Sequence, residues 1–94
     1  MGFKDGKLVP DGIGPKTVAA LDSIRNVLEK NGSSMEQVIK CILFLTDMAD
    51  YPVMNAEYIK VFASKRPARA AVGVRNLWAG SHIEIECMAR VDTE

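Results

Sequence analysis

The sequence predicts one α+β domain, a single mixed β-sheet with two helices packed on one of its faces. Two stretches carry apolar residues at helical spacing, and three others are apolar or alternating runs of strand length. Their order, a short β, α, β, α, β, β, ends in two neighbouring strands and favours one mixed sheet over separate layers. Ninety-four residues suffice for one domain spanning 1–94, and 48% apolar with 26% charged residues is ordinary for a globular chain.

Asp5-Gly6 is a tight-turn signal, and Lys7-Leu8-Val9 reads as a short extended segment after it. Gly14-Pro15 marks a boundary, because proline fits the first helical turn where its missing N–H costs nothing. From Lys16 to Asn31, Val18, Leu21, Ile24 and Leu28 recur at helical spacing, and Gly32 suits the position just past the helix end. Ser34-x-x-Gln37 has capping-box form and predicts one helical turn. The run Val38 to Leu45 is branched and aromatic, which predicts a central strand buried on much of both faces. Asp50 and Pro52 open a second helix whose apolar face is Val53, Met54, Tyr58, Val61 and Phe62, and Ser64 to Pro67 ends it.

Two alternating strands follow, joined by a loop from Asn76 to Ser81. Ala70, Val72 and Val74 alternate with Arg69, Ala71 and Gly73, and Ile83, Ile85, Cys87 and Ala89 alternate with Glu84, Glu86, Met88 and Arg90. The aliphatic sets are expected to face the helices, leaving Arg69, Glu84, Glu86, Met88 and Arg90 on the other side. Paired as a simple hairpin, Arg69 would lie opposite Met88, with Glu84 roughly 13 Å along the strand. A small sheet with open edges and a partly apolar second face favours a homo-oligomer that buries that face.

Twelve basic and twelve acidic residues cancel, so no broad positive field steers nucleic acid or anionic lipid to the chain. No apolar run is long enough for a membrane span and no signal peptide opens the sequence. Cys41 and Cys87 form no CxxC and lack metal-ligand spacing, and read as reduced buried thiols of a cytosolic protein. A single His82 supports neither a metal site nor a catalytic triad, and Gly6, Gly12 and Gly14 make no phosphate loop. Trp78 suits an interface or lid.

Arg69 opens a strand, and its guanidinium can grip a carboxylate with two parallel hydrogen bonds. On spacing alone, an ion pair with Glu84 or Glu86 in an oligomer interface is the stronger reading. Glu84 and Glu86 share a strand face and could supply a general acid or base if desolvated, although a solvated or salt-bridged pair is the commoner outcome. Asn55 and Tyr58 lie on one side of the second helix, where packing alone accounts for them.

Several stretches, in matching order, resemble the RidA (YjgF) family of reactive-intermediate deaminases. They are Phe44-Leu45-Thr46-Asp47-Met48-Ala49-Asp50-Tyr51 with Asn55-Ala56-Glu57-Tyr58, then Pro67-Ala68-Arg69-Ala70-Ala71-Val72-Gly73-Val74, then Ile83-Glu84-Ile85-Glu86-Cys87-Met88-Ala89. The likeness runs from about Gly2 to Val91. It implies a chorismate-mutase-like fold and a homotrimer with sites between subunits. It also implies hydrolysis of reactive 2-imino acids or their enamine tautomers to 2-keto acids and ammonia, with no cofactor and no metal. Arg69 matches the arginine that binds the substrate carboxylate, and Glu84 the glutamate that positions water. Asn55 and Ala71 join Arg69 as substrate-side positions, Ala71 standing where the family often has cysteine. The family's opening hairpin, with an Ile-Gly-Pro-Tyr-Ser-Gln-like and a Ser-Gly-Gln-like segment, has no counterpart in the sequence, and with it a cleft tyrosine and serine are expected to be missing. A silent member that binds small carboxylates or a protein partner is the alternative function, and endoribonuclease activity a third that the neutral charge disfavours.

Overall fold

The computed structural model describes residues 3–4, 7–8 and 12–91. The chain opens with two short strands, β1 (Phe3–Lys4) and β2 (Lys7–Leu8), paired antiparallel with Phe3 opposite Leu8. Val9 and the expected Asp5-Gly6 turn lie outside the described residues. Helix α1 (Ile13–Lys30) begins a turn earlier than its apolar periodicity indicates and takes Pro15 into its first turn. Its buried stripe is Ile13, Lys16, Thr17, Ala20 and Leu21, with Ile24 and Leu28 packed at the margin. Val18, expected on that stripe, is 42% exposed, because the arc through Ile13, Thr17, Ala20, Leu21 and Ile24 leaves position 18 beyond its edge. The helix ends in a Schellman motif. The Ser33 N–H donates to the Leu28 carbonyl at 2.8 Å, the Gly32 N–H to the Glu29 carbonyl at 3.5 Å, and Gly32 takes φ +78° as its place demands.

A 3-10 turn over Met35–Gln37 replaces the expected helical turn, and the Ser34 side chain contacts the Gln37 side chain rather than capping the backbone. Strand β3 (Val38–Leu45) follows, then a second 3-10 turn (Met48–Asp50) and helix α2 (Tyr51–Val61). Asp47, not Asp50, supplies the capping side chain here, accepting from the Ala49 N–H at 2.9 Å. Helix α2 buries Met54 and Tyr58, with Phe62 just past its end, whereas Val53 is 50% exposed.

Strands β4 (Ala68–Gly73) and β5 (Ile83–Ala89) complete a three-stranded sheet of order β4-β3-β5. Strand β3 is therefore central, as its composition indicates. It pairs parallel with β4 and antiparallel with β5. The expected hairpin of the last two strands does not form, and Arg69 is not opposite Met88. Helix α2 carries the chain across so that β4 lies parallel to β3, and the connection through a 3-10 turn at Trp78–Gly80 returns β5 to the far side. This gives the most apolar strand two hydrogen-bonded neighbours instead of an open edge.

The core lies between the sheet and both helices. Cys41, Leu43 and Leu45 of β3 and Ile83 and Ile85 of β5 meet Ala20 and Leu21 of α1, Met54 and Tyr58 of α2, and Phe62. Only this face of β3 is buried within the chain. On the other face Ile42 and Phe44 are half-buried, and Val72 and Met88 beside them are 40% and 59% exposed. The expectation that β3 is buried on both faces holds for one face only. No described helix is long and apolar enough to cross a membrane.

The corrected α1 stripe is testable by urea unfolding. Leu21→Ala, at a side chain 1% exposed, is expected to cost about 2–5 kcal/mol. Val18→Ala is expected to change stability by no more than about 0.5 kcal/mol.

Candidate functional site at the Arg69 edge

Register fixes which way each strand side chain points. Arg69 is the parallel partner of Cys41, and Cys41 is the antiparallel partner of Cys87, so the three share one row on the helix-covered face. This reverses the expected faces of β4. Arg69, Ala71 and Gly73 lie on the helix side, and Ala70 and Val72 on the other. Because β4 is a sheet edge that α2 covers incompletely, Arg69 stays exposed there and Ala71 is half-buried.

Helix α2 orients the guanidinium. Arg69 Nη1 donates to Asn55 Oδ1 and Nη2 donates to the Tyr51 hydroxyl, each at 2.5 Å. The guanidinium carbon also sits 4.9 Å from the Tyr58 ring centre and 5.5 Å from that of Tyr51. Tyr51, Asn55 and Tyr58 are four and three residues apart, which puts them on one stripe of α2. Two of the five guanidinium N–H groups are thereby committed, and the other three have no partner among the described residues. Arg69 forms no ion pair among them either. The arrangement is a fixed, exposed and uncompensated cation suited to a small carboxylate. Tyr51 is the residue sequence reasoning missed; its place at the front of the Tyr51-Asn55-Tyr58 stripe was the available signal.

Glu84 stands elsewhere. It pairs with Phe44, and Glu86 with Ile42, so both glutamates project from the face away from the helices and are exposed. The rows of Arg69 and Glu84 are three residues apart along β3, roughly 10 Å, and two strand spacings apart, roughly another 10 Å. One chain cannot bring both to one small ligand. Neither glutamate forms an ion pair with Arg69 within the chain. A shallow cavity of about 180 Å³ lies on the Glu86 side, lined by Lys40, Ile42, Glu86, Cys87 and Met88, out of reach of Arg69.

Beneath Arg69 the polar groups are buried. The Tyr58 hydroxyl is enclosed and, apart from the adjoining Cys41 thiol, has no hydrogen-bond partner among the described residues. Burial, with the adjoining Cys41 thiol, pushes its phenol above the ordinary value. The neighbouring Cys87 thiol holds Cys41 below its usual value; Tyr58 and Arg69 act in the same direction and burial opposes them. Cys87 is pushed up, first by its contact with Cys41 and then by burial. Both cysteines are free. Away from this cluster, exposed His82 accepts from buried Lys16, whose Nζ lies 2.7 Å from Nδ1. Trp78 is 79% exposed in the turn before it. No group of three or more potential metal ligands occurs among the described residues.

A family profile described as Endoribonuclease L-PSP matches residues 1–91. The protein HMF1 of Saccharomyces cerevisiae is 38% identical over 85 residues, covering 90% of this chain and 66% of HMF1. The 2-iminobutanoate/2-iminopropanoate deaminase of Bos taurus is 37% identical over 84 residues, covering 89% of this chain and 61% of that protein. The chain thus spans less than two thirds of either relative. Among solved structures, that of the yeast protein YEO7 superimposes with a TM-score of 0.92 at 36% identity, covering 94% of this chain and 70% of that one.

The unpartnered phenol makes a second stability test. Tyr58→Phe keeps the ring under Arg69 and removes a buried, unsatisfied hydroxyl, so it is expected to stabilise the fold by about 1 kcal/mol in urea unfolding at neutral pH. The phenol's pKa rises on folding, so the stability it allows is intact below the ordinary tyrosine value of about 10 and lost as pH climbs above it. The variant is therefore expected to lose less stability than the parent between pH 9 and 11.

Proposed function

The chain belongs to the Endoribonuclease L-PSP family, also called RidA/YjgF, and from that premise we propose that it hydrolyses reactive 2-imino acids to 2-keto acids and ammonia. The observation that carries this reading is the Arg69 guanidinium, aimed by Tyr51 and Asn55 and free of any carboxylate among the described residues. A 2-imino acid presents a planar carboxylate beside an electrophilic carbon. Arg69 takes the carboxylate through two parallel N–H groups, which fixes the position of the adjacent C=N. Water adds to that carbon, the resulting aminol expels ammonia, and the keto acid leaves. The substrate supplies its own electrophile, so an oriented water and charge control suffice and no cofactor is invoked.

Ala71, on the same face two residues on, is proposed to floor the site with a small side chain, and Asn55 to hold Arg69 in place. Glu84 can position the water only if it comes from a second copy of the chain, because its own chain holds it on the other face of the sheet. The proposed enzyme therefore places each site at a subunit boundary, in the homotrimer that the family resemblance implies. The exposed Val72 and Met88 beside half-buried Ile42 and Phe44 give that association an apolar surface to cover. The same separation of Glu84 from Arg69 favours a second reading, a binder of small carboxylates that does not turn them over.

The test generates a 2-imino acid in situ with an amino-acid oxidase and follows keto acid release. Parent protein is expected to accelerate release over the protein-free control. Each lost hydrogen bond to a charged group costs about 1.5–3 kcal/mol, so Arg69→Ala is expected to lower kcat/KM by about tenfold or more. Glu84→Gln is expected to lower kcat with little change in KM. Parent and Arg69→Ala rates both equal to the control would leave carboxylate binding, measured by calorimetry with a 2-keto acid, as the function.

A further inference from the structure

Cys41 and Cys87 lie 46 residues apart in sequence, yet the register places them directly opposite each other on β3 and β5. Directly opposed residues of an antiparallel pair have Cα atoms about 4.5–5.5 Å apart, within the range of about 4.4–6.8 Å that a disulfide spans. Both thiols are free, and their side chains are in contact. Cys41 is fully buried while Cys87 is only partly so, which gives the pair one side open to a small solute. Two further polar groups converge on the pair. The Tyr58 hydroxyl, on a residue 3% exposed, adjoins Cys41 and has no other partner among the described residues, and the Arg69 guanidinium lies over the Tyr58 ring at 4.9 Å. A buried hydroxyl with no partner but a thiol among the described residues is a donor placed to serve that sulfur.

We propose that Cys41 and Cys87 form a thiol oxidation site that consumes a hydroperoxide and closes to an intramolecular cross-strand disulfide.

In the first step a thiolate sulfur of the pair attacks one peroxide oxygen. The O–O bond breaks, the sulfur is oxidised to a sulfenic acid, and the other oxygen leaves as water or an alcohol after taking a proton. In the second step the remaining thiol attacks the sulfenic sulfur, the S–S bond forms, and water departs with the thiol proton. Two electrons pass from the two thiols to one peroxide. The contact with Cys87, helped by Tyr58 and Arg69 and opposed by burial, holds the Cys41 thiol below its usual value and favours a thiolate next to its resolving partner. The Tyr58 hydroxyl and the Arg69 charge are placed to stabilise negative charge on that sulfur or on a sulfenate oxygen. A disulfide whose Cys87 sulfur is only partly buried is open to reduction again by a small dithiol.

The experiment uses the full chain, reduced and freed of reductant, and treats it with hydrogen peroxide before alkylation in denaturant and intact-mass analysis. The expected result is a monomeric chain that has lost two hydrogens, resists alkylation at both cysteines, yields a linked peptide joining positions 41 and 87, and returns to the dithiol with dithiothreitol. Cys87→Ser is expected to stop at a sulfenic acid on Cys41 that dimedone traps when added together with denaturant. Tyr58→Phe, which retains the fold, is expected to slow thiol loss severalfold. Full alkylation of both thiols after excess peroxide would overturn the proposal, as would bonds formed only between chains. Near-ultraviolet circular dichroism of Cys87→Ser checks its fold, and the unsubstituted chain decides the question by itself should that variant unfold.

Discussion

The position of β3 between β4 and β5 governs everything else about the molecule. Because β4 runs parallel to β3 after the α2 crossover, every side chain of β4 takes the face of its registered partner on β3. Cys41, Leu43 and Leu45 are the core face, so Arg69, Ala71 and Gly73 are committed to it as well. An arginine on a core face is costly unless it reaches water or partners. An edge strand satisfies that condition. The chain of the side group runs under α2, and its charged end emerges past Tyr51 and Asn55. The same pairing sends Glu84 and Glu86 to the opposite face through Phe44 and Ile42. The topology that holds the cation therefore also separates it from the acids.

Much of this was legible in the sequence. Pro15 and Gly32 bracket α1, Pro52 opens α2, and the branched run from Val38 marks the central strand, because each residue type has a local reason to be there. Strand order was not legible. Residues adjacent in sequence pair most often, and nothing in the loop from Asn76 to Ser81 signals that β5 passes to the far side of β3. The facing of β4 was not legible either. Its aliphatic set, Ala70, Val72 and Val74, pointed to the helices, yet the small Ala71 and Gly73 beside Arg69 also fit that face, and along this edge strand burial barely alternates. Hydrophobic pattern sets register and face only where one side is distinctly more apolar. In β5, where Ile83 and Ile85 alternate with Glu84 and Glu86, the expected facing is the observed one.

The guanidinium's neighbours also explain why a site belongs at this edge. Tyr51, Asn55 and Tyr58 orient Arg69 with neutral groups, two oxygens and two π-faces. A glutamate in the position of Asn55 would orient it equally well and cancel its charge. Neutral partners restrict the fork's rotation and leave its field for a ligand, which lowers the ordering cost of binding without spending the attraction. The local stripe of α2 is thus as much a part of the proposed anion site as the arginine it holds.

That charge works in two directions. Outward it meets solvent and any carboxylate that enters. Inward, across the Tyr58 ring, it acts on Cys41 and favours the thiolate. A bound anion would neutralise part of the inward field and make the Cys41 thiol harder to ionise, by the same electrostatics that makes an isolated cation lower a neighbouring thiol. Conversely, ionised Cys41 places a negative charge beneath Arg69 and competes with an incoming carboxylate for it. The two proposed sites are coupled if one arginine serves both, and its place on β4 follows from the register with β3.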